Sequence, residues 1–376
     1  MKKIGIIGGG AAGLACAVFL ARKSRFSVTV FERSPRVGRK LSATGNGQGN
    51  VTNTDMGAAH YFSDDIGKTG RILARFGDRD TVRFLESMGG VFLPDARGRV
   101  YPAGRQASAI TDLFRTEAAR LGVRLHTESM VKSVAYRSGM FEICEEKFDA
   151  AVLCTGGMAA PNFGSDGSGY ELARAFGHTL TQCRPALVQL KCNPDGVRGL
   201  KGIRMDGNVR LLRGGREVKA FRGDVLFTDT GVSGDAVFRI SSFAEKGDRL
   251  EIDLLPDVSE ERLLSAFGKR KEEPYLCILP NGLGRAIEKR AGGDVPRMAG
   301  LVKRFPLTVE GTAGFSAAQV TKGGIPLRET DEYLMSDRRE GLYFAGEILD
   351  VDGECGGYNL QWAFSSAYTV SEGLCR

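Results

Sequence analysis

Gly8, Gly10 and Gly13 stand in the spacing G-x-G-x-x-G directly after Ile4, Ile6 and Ile7. An apolar run of that length suits a buried parallel strand. In such a strand–turn–helix unit the first glycine allows the tight turn and the second lets the backbone approach a pyrophosphate. The third lets helix and strand pack closely. The helix expected from about Ala11 to Lys23 would aim free N–H groups and the positive end of its dipole at that pyrophosphate. A second expected strand, Val28 to Phe31, ends in Glu32. That acid falls about twenty residues past the last glycine, where a carboxylate can accept from a ribose hydroxyl. The glycine spacing alone would say little. Strand, turn, helix and acid together specify dinucleotide binding.

Three further glycine-rich stations follow. Gly45, Asn46, Gly47 and Asn50 lie in a stretch too polar for a core, with Arg39 and Lys40 beside it. Amides, hydroxyls and exposed backbone N–H groups make this a second anion-cradling loop. An apolar strand ending in Thr155, Gly156 and Gly157 sets another tight turn at the carboxyl edge of the sheet, where ligands bind in such folds. The last station runs from Leu342 through Gly346 and Glu347 to Gly356 and Gly357, then into an apolar helix starting at Tyr358, Asn359 and Leu360. Asp350, Asp352 and Glu354 are clustered there, but they lack the order of a calcium loop, and no metal is expected. His60, His126 and His178 all lie outside these stations and read as structural.

The intervening sequence supplies the scaffold. Residues 64–90 read as helical, 91–101 as a small hairpin and 106–121 as a helix. Strands are expected over 123–126, 130–136, 141–144 and 148–153. From Pro185 the texture changes to short alternating strands (187–191, 209–212, 218–221, 225–227, 250–254) with glycine-rich turns, as in a small barrel or sandwich. Residues 259–303 are helix-rich. The pattern predicts an α/β fold with a discontinuous Rossmann-like domain over 1–184 and 323–376. A β-barrel-like insertion occupies 185–256 and 304–322, and itself carries a small helical insertion over 257–303.

Composition sets limits. At 376 residues, 42% hydrophobic and 26% charged, the chain reads as an ordinary soluble protein of more than one domain. The run after Lys2 and Lys3 is too short for a secretory signal, and no stretch could span a bilayer, so a cytoplasmic location is expected. The net charge of +7 suits an anionic cofactor. The densest basic cluster, Lys269 to Lys271, runs straight into Glu272 and Glu273, which argues against a nucleic-acid stripe. None of the eight cysteines forms C-x-x-C, so neither a zinc spacing nor a dithiol redox pair is present.

The arrangement of stations resembles two-dinucleotide-binding-domain flavoproteins, and more closely the YhiN/BaiN-like family of FAD-dependent oxidoreductases. The resemblance rests on Gly38 to Leu41 with Gly45 to Asn53, on Phe227 and Thr228 with Gly231, Ser233 and Gly234, and on Thr321 with Gly323 and Gly324. Above all it rests on Leu342 to Glu347 continuing through Asp350 to Gly353 and Gly356 to Gln361. The chain departs from the family pattern at Gln48 and Gly49, at Asp235 and at Lys322.

The resemblance implies FAD as cofactor, with NADH or NADPH as a transient electron donor, since no second dinucleotide fingerprint is present. It implies Gly8, Gly10 and Gly13 at the pyrophosphate, Glu32 at the adenosine ribose, and Lys40 with the 45–50 loop along the phosphates and ribityl chain. Gly346 and Asp350 fall at the ribityl end, and Ala12, Arg33, Val131, Thr155, Gly156, Gly157 and Glu347 join the cofactor-binding set. The N–H groups after Gly357, at Tyr358, Asn359 and Leu360, are expected at the flavin N1–C2=O edge, and Tyr358 is the candidate proton donor. The implied activity is reduction of an activated, enone-like C=C bond in a small molecule. The alternatives are an oxidase of a small amine or amino-ketone and, less favoured, an RNA-directed flavoprotein.

Overall fold

In the computed structural model, which describes residues 1–376, the chain divides into two compact units. One comprises residues 1–184 with 320–376, the other residues 185–319.

The first unit is built on a five-stranded parallel sheet. Its strands are β1 (Lys2–Ile7), β2 (Phe26–Phe31), β3 (Arg124–His126), β4 (Ala150–Leu153) and β5 (Leu342–Phe344), in the order β5-β4-β1-β2-β3. Ile4, Ile6, Val28, Val30, Val152 and Leu153 are all buried, as expected of a parallel sheet covered on both faces. Helix α1 (Ala11–Ala21) is apolar on nearly every side and is buried from Ala12 to Leu20. It packs against α2 (Tyr358–Gly373), so the last helix of the chain packs on the first. Phe19 of α1 stacks on Phe84 at 4.1 Å and meets Phe76 and Tyr368 edge-on.

Several local expectations are corrected. The helical stretch over 64–90 is two helices, Ile66–Arg75 and Asp78–Glu86. Phe76 is extended between them, and the Asp80 carboxylate accepts from the Gly77 N–H at 3.0 Å to start the second. The strand expected over 130–136 exists only from Ala135. Upstream, the Glu128 and Ser129 N–H groups donate to the carbonyls of Ser34 and Glu32, so this segment follows the turn after β2 instead of joining a sheet.

The second unit contains a closed six-stranded barrel of Leu190–Cys192, Gly231–Ser233, Arg216–Phe227, Arg204–Arg213, Arg249–Asp253 and Phe305–Thr312. The two strands expected over 218–221 and 225–227 are one continuous strand. It pairs with 204–213 straight through Gly207 and Gly223. Helices Glu260–Phe267, Asn281–Ala291 and Val295–Lys303 bury Leu263, Phe267, Ile287, Met298 and Val302 in the same core as Val209, Leu211, Leu250 and Phe305. No helix is long and apolar enough to cross a membrane.

Candidate active site

The opening turn shows what each glycine does. A Cβ on Gly8 would lie 2.4 Å from the Cys154 carbonyl oxygen, and one on Gly13 would lie 1.9 Å from the Gly8 carbonyl oxygen. Those two positions are glycine because protein backbone fills the space. A Cβ on Gly10 would meet nothing within 4 Å. There the backbone faces open space, which is where a ligand can approach. Gly10 caps α1 without a side-chain bond, and the first turn carries no acid. Its early N–H groups therefore remain available to an anion.

Glu32 is already engaged with that turn. Its Oε2 accepts from the Gly9 N–H at 2.9 Å and its Oε1 from the Ser34 N–H at 2.8 Å. Each oxygen keeps a second lone pair, so the acid can brace the loop and still accept from a ribose hydroxyl. Arg33, next in the chain, pairs with Asp166 and donates to Ser168 Oγ at 3.3 Å. Val131 is buried just beyond the segment that bonds to Glu32 and Ser34.

The second loop meets the last station. Lys40 Nζ lies 2.7 Å from Glu347 Oε2, and Glu347 Oε1 accepts from the Thr321 N–H at 2.8 Å. Gly45, Asn46 and Gly47 all have positive φ, and a Cβ on Gly47 would again meet nothing within 4 Å. Asn50 is buried, and its Oδ1 has no partner within the protein. Thr155 Oγ1 is likewise buried and unpartnered. Beyond it Gly156 turns at positive φ, and a Cβ on Gly157 would lie 2.4 Å from Thr321 Oγ1. Ala12 lies under the last station, since a Cβ on Gly346 would come within 2.8 Å of its methyl.

α2 holds the last station by its backbone. Trp362 Nε1 donates to the Gly346 carbonyl at 3.1 Å, and Ser366 Oγ accepts from the Gly346 N–H at 2.9 Å. Gly357, at positive φ, sits so close to the Thr52 carbonyl that a Cβ would lie 2.4 Å from it. Asn359 accepts from the Gly353 N–H at 2.9 Å and donates to the Gly353 carbonyl at 2.8 Å. Its side chain therefore fixes the loop before the helix. The N–H groups of Tyr358, Asn359 and Leu360 lie in the first helical turn, where no intrahelical acceptor exists. The Tyr358 hydroxyl donates to the Asp55 carbonyl at 3.2 Å, and its ring stacks on His60 at 4.5 Å. His60, expected outside the stations, thus belongs to one. His178 is structural, buried between Glu329 Oε2 at 2.9 Å and Ser336 Oγ at 2.6 Å.

Beside this station lies a cleft of about 480 Å³, walled by Tyr61, Phe62, Ile66, Lys322, Asp350 and Asp352. Burial raises the carboxyl of Asp350, against a hydrogen bond from Thr181. Asp352 is more extreme: burial pushes its carboxyl up to about 7, with Lys322 pulling it down and Asp350 and Glu347 adding to the rise. In the sequence these acids suggested only a weak metal cluster. No sequence signal separates Asp352 from Asp350 and Glu354; the burial of Val351–Gly353 that singles it out appears only in the fold.

The cradle fits an extended dinucleotide. It offers open backbone at Gly10 and Gly47, a free helix start, the orphaned Asn50 and Thr155 oxygens, and a second helix start after Gly357.

Comparison with known proteins agrees. The HI0933-like protein Rossmann domain family matches residues 2–373. The chain is 34% identical to the 3-dehydro-bile acid delta(4,6)-reductase of Clostridium scindens, over 98% of each chain. It is 30% identical to the ribosomal RNA dihydrouridine synthase of Haemophilus influenzae, over 99% of this chain and 98% of the relative. Among solved structures, the 3-ketosteroid-delta4-(5alpha)-dehydrogenase of Rhodococcus jostii RHA1, in complex with 4-androstene-3,17-dione, aligns with a TM-score of 0.52. That alignment covers 98% of this chain and 96% of the other at 16% identity, a likeness of fold. With this cradle and a family match over nearly its whole length, the chain belongs to the HI0933-like Rossmann flavoprotein family and is an FAD-dependent oxidoreductase.

Proposed function

We propose that the chain takes hydride from NADH or NADPH and reduces a C=C bond conjugated to a carbonyl in a small molecule. The observation that carries this reading is the end-to-end similarity to a bile-acid delta(4,6)-reductase at 34% identity. The cleft of about 480 Å³, with its mixed apolar and acidic wall, is consistent with a substrate of that class. In this reading the protein works in the cytoplasm, where nicotinamide nucleotides are supplied.

FAD, when bound, supplies the hydride chemistry, and the protein binds, orients and tunes it. In the proposed assignment Gly8, Gly10 and Gly13 with the start of α1 hold the pyrophosphate, Ala12 supports them, and Glu32 takes the adenosine ribose beside Arg33 and Val131. Lys40, Gly45, Asn46, Gly47 and Asn50 follow the phosphates and ribityl chain. Thr155, Gly156, Gly157, Gly346, Glu347 and Asp350 line its inner end. The first-turn N–H groups of Tyr358, Asn359 and Leu360, after Gly357, would hold the flavin at its N1–C2=O edge and would favour added negative charge there.

A second reading is supported by the relative named as a ribosomal RNA dihydrouridine synthase. Making dihydrouridine also saturates a C=C bond conjugated to a carbonyl, so the two readings share chemistry and differ in substrate size. One anaerobic experiment separates them. The FAD-loaded protein is mixed with NADH or NADPH and the visible flavin band followed, then 4-androstene-3,17-dione or unmodified ribosomal RNA is added. Bleaching by a nucleotide and recovery with the ketone is the expected result. Recovery with RNA alone, together with salt-dependent RNA retention, would establish the second reading. No bleaching with either nucleotide would overturn the reductase reading and redirect the search to amines with oxygen as acceptor.

A further inference from the structure

The short strand Val320–Lys322 joins the cradle to the cleft. Thr321 belongs to the cradle. Its N–H donates to Glu347 Oε1 at 2.8 Å, and its Oγ1 accepts from the Met158 and Ala159 N–H groups at 2.7 and 2.9 Å. A Cβ on Gly157 would lie 2.4 Å from that same oxygen. Lys322, the next residue, stands on the cleft wall with Phe62, Asp64, Asp350 and Asp352. Three hydrogen bonds thus fix the backbone from which Lys322 reaches the cleft.

An ammonium carries three N–H donors and no acceptor. In Lys322 no hydrogen bond or ion pair occupies them, and the contact of Nζ is with the face of the Phe62 ring, 4.4 Å from its centre. The side chain is half-buried, so water reaches it only in part. The neighbouring acids do not take it up. Asp64 accepts from the Leu327 N–H at 2.8 Å and from Arg328 at 3.1 Å. Glu347 is held by Lys40 and the Thr321 N–H. Burial raises the carboxyls of Asp350 and Asp352, and the charge on Lys322 opposes the rise in both without bonding either.

We propose that Lys322 donates from its ammonium to the keto oxygen of an enone bound in this cleft and holds the negative charge that oxygen acquires during reduction. The β-carbon takes hydride from reduced FAD, the C=C electron pair shifts toward the carbonyl, and the oxygen carries the charge as an enolate. A proton from water on the α-carbon restores the C=O bond. The substrate has then gained two hydrogens, and FAD is reoxidised. An ammonium interacts more strongly with an enolate than with a neutral carbonyl, so the bond strengthens toward the transition state. A ligand with its own carboxylate would meet Asp350 and Asp352 on the same wall, whereas a ketone carries no charge until it reacts. Phe62 and the half-exposed Ile66 supply apolar surface for a carbon skeleton. The inference rests on the reductase reading above and adds to it the group that polarises the substrate.

The test uses the full-length, FAD-loaded, oxidised protein without an electron donor, so that nothing turns over. The probes are 4-androstene-3,17-dione and cyclohexenone, each with and without a carbon-13 label at the enone carbonyl. Labelled-minus-unlabelled infrared difference spectra isolate the C=O stretch of the bound enone. In wild type it should lie below its frequency in water. Lys322→Met should move it back up, and Lys322→Arg should keep it low. Enone affinity, read from the visible flavin spectrum, should change by less than about threefold in Lys322→Met, while single-turnover reoxidation of the reduced flavin by the enone should slow about 100-fold. The wild-type stretch stands by itself if Lys322→Met does not fold. A bound enone whose stretch matches that in water, or is equally low in wild type and Lys322→Met, overturns the proposal and leaves the reductase reading intact. An unchanged single-turnover rate in Lys322→Met does the same. If neither enone binds the FAD-loaded wild type, the proposal and the enone-substrate reading fall together.

Discussion

Lys40 Nζ lies 2.7 Å from Glu347 Oε2, joining residues 307 positions apart. Both side chains are largely sheltered from water, at 28% and 21% exposure. Glu347 also accepts from the Thr321 N–H through its other oxygen. One carboxylate therefore ties the loop after β2 to the turn after β5 and to the chain entering from residue 320.

Replacing Lys40 with Ala would leave Glu347 with half its partners in a sheltered position. The expected cost is about 1–2 kcal/mol of stability, with FAD affinity falling by about tenfold as the two loops loosen. Glu347→Gln keeps the bond to Thr321 and should cost less in stability, while losing the charge pair equally. Thermal melts of the FAD-free protein and FAD titrations measure the two effects separately. Unchanged FAD affinity in both variants would make the pair purely structural.

Two glycines of the same motif should respond in opposite ways. Gly13→Ala forces a methyl to within 1.9 Å of the Gly8 carbonyl oxygen, so helix and turn must separate. The FAD-free protein should lose about 2–3 kcal/mol. Gly10→Ala meets nothing within 4 Å and should melt like wild type. If a ligand's pyrophosphate approaches that backbone, the same variant should still bind FAD about 100-fold more weakly. A Gly10→Ala protein with full FAD affinity would move the pyrophosphate elsewhere.

The first motif was legible because its chemistry is local: the spacing of Gly8, Gly10, Gly13 and Glu32 carries the turn, the helix start and the acid. The barrel was legible as a class, since strand alternation at Val209 and Leu211 is also local. What escaped depends on partners far along the chain. Gly223 and Asp224 look like a turn, but the strand is kept straight by pairing with Gly207 and Asp206. Met130, Val131 and Val134 make residues 130–134 look like a strand, yet the chain just before them is held by Glu32 and Ser34. Asp352 reads as one acid among several until its strand pairs with Tyr61–Ser63, from 290 positions earlier, and the fold buries it.

The Asn359 side chain holds the Gly353 N–H and carbonyl at 2.9 and 2.8 Å. Asn359→Ala frees both groups and should cost about 1–2 kcal/mol. By loosening the start of α2 it should also lower the flavin midpoint potential, because the first-turn N–H groups would be less well aimed. Spectroelectrochemical titration of wild type and variant checks this, and an unchanged potential would remove those N–H groups from the flavin.

Acid should weaken the protein through Glu329 and His178. Burial alone would raise the Glu329 carboxyl, but Thr179, His178 and Arg338 together hold it down to about 2. A depressed carboxyl contributes stability that is present above its ordinary value near 4.3 and is lost as pH falls toward 2. Burial lowers His178, so its neutral form belongs to the folded state and stability also falls below about pH 6.5. Glu329→Gln should cost about 2–4 kcal/mol at pH 7 and much less at pH 3. Urea melts at the two pH values test the convergence.

Asp352 should act in the opposite direction. Its carboxyl titrates near 7 in the folded protein, above the ordinary aspartate value of about 3.9, because burial disfavours the charge. The native state therefore holds a proton that the unfolded chain releases. Stability is fully present below about pH 4, falls as pH rises through 7, and levels off once the folded form also ionises. Asp352→Asn cannot ionise. Measured against wild type by urea melts of the FAD-free protein, it should gain roughly 2–4 kcal/mol between pH 4 and pH 8. A constant difference across that range would mean that Asp352 is ionised throughout, and that a cation in the folded chain, with Lys322 the nearest candidate, compensates its burial.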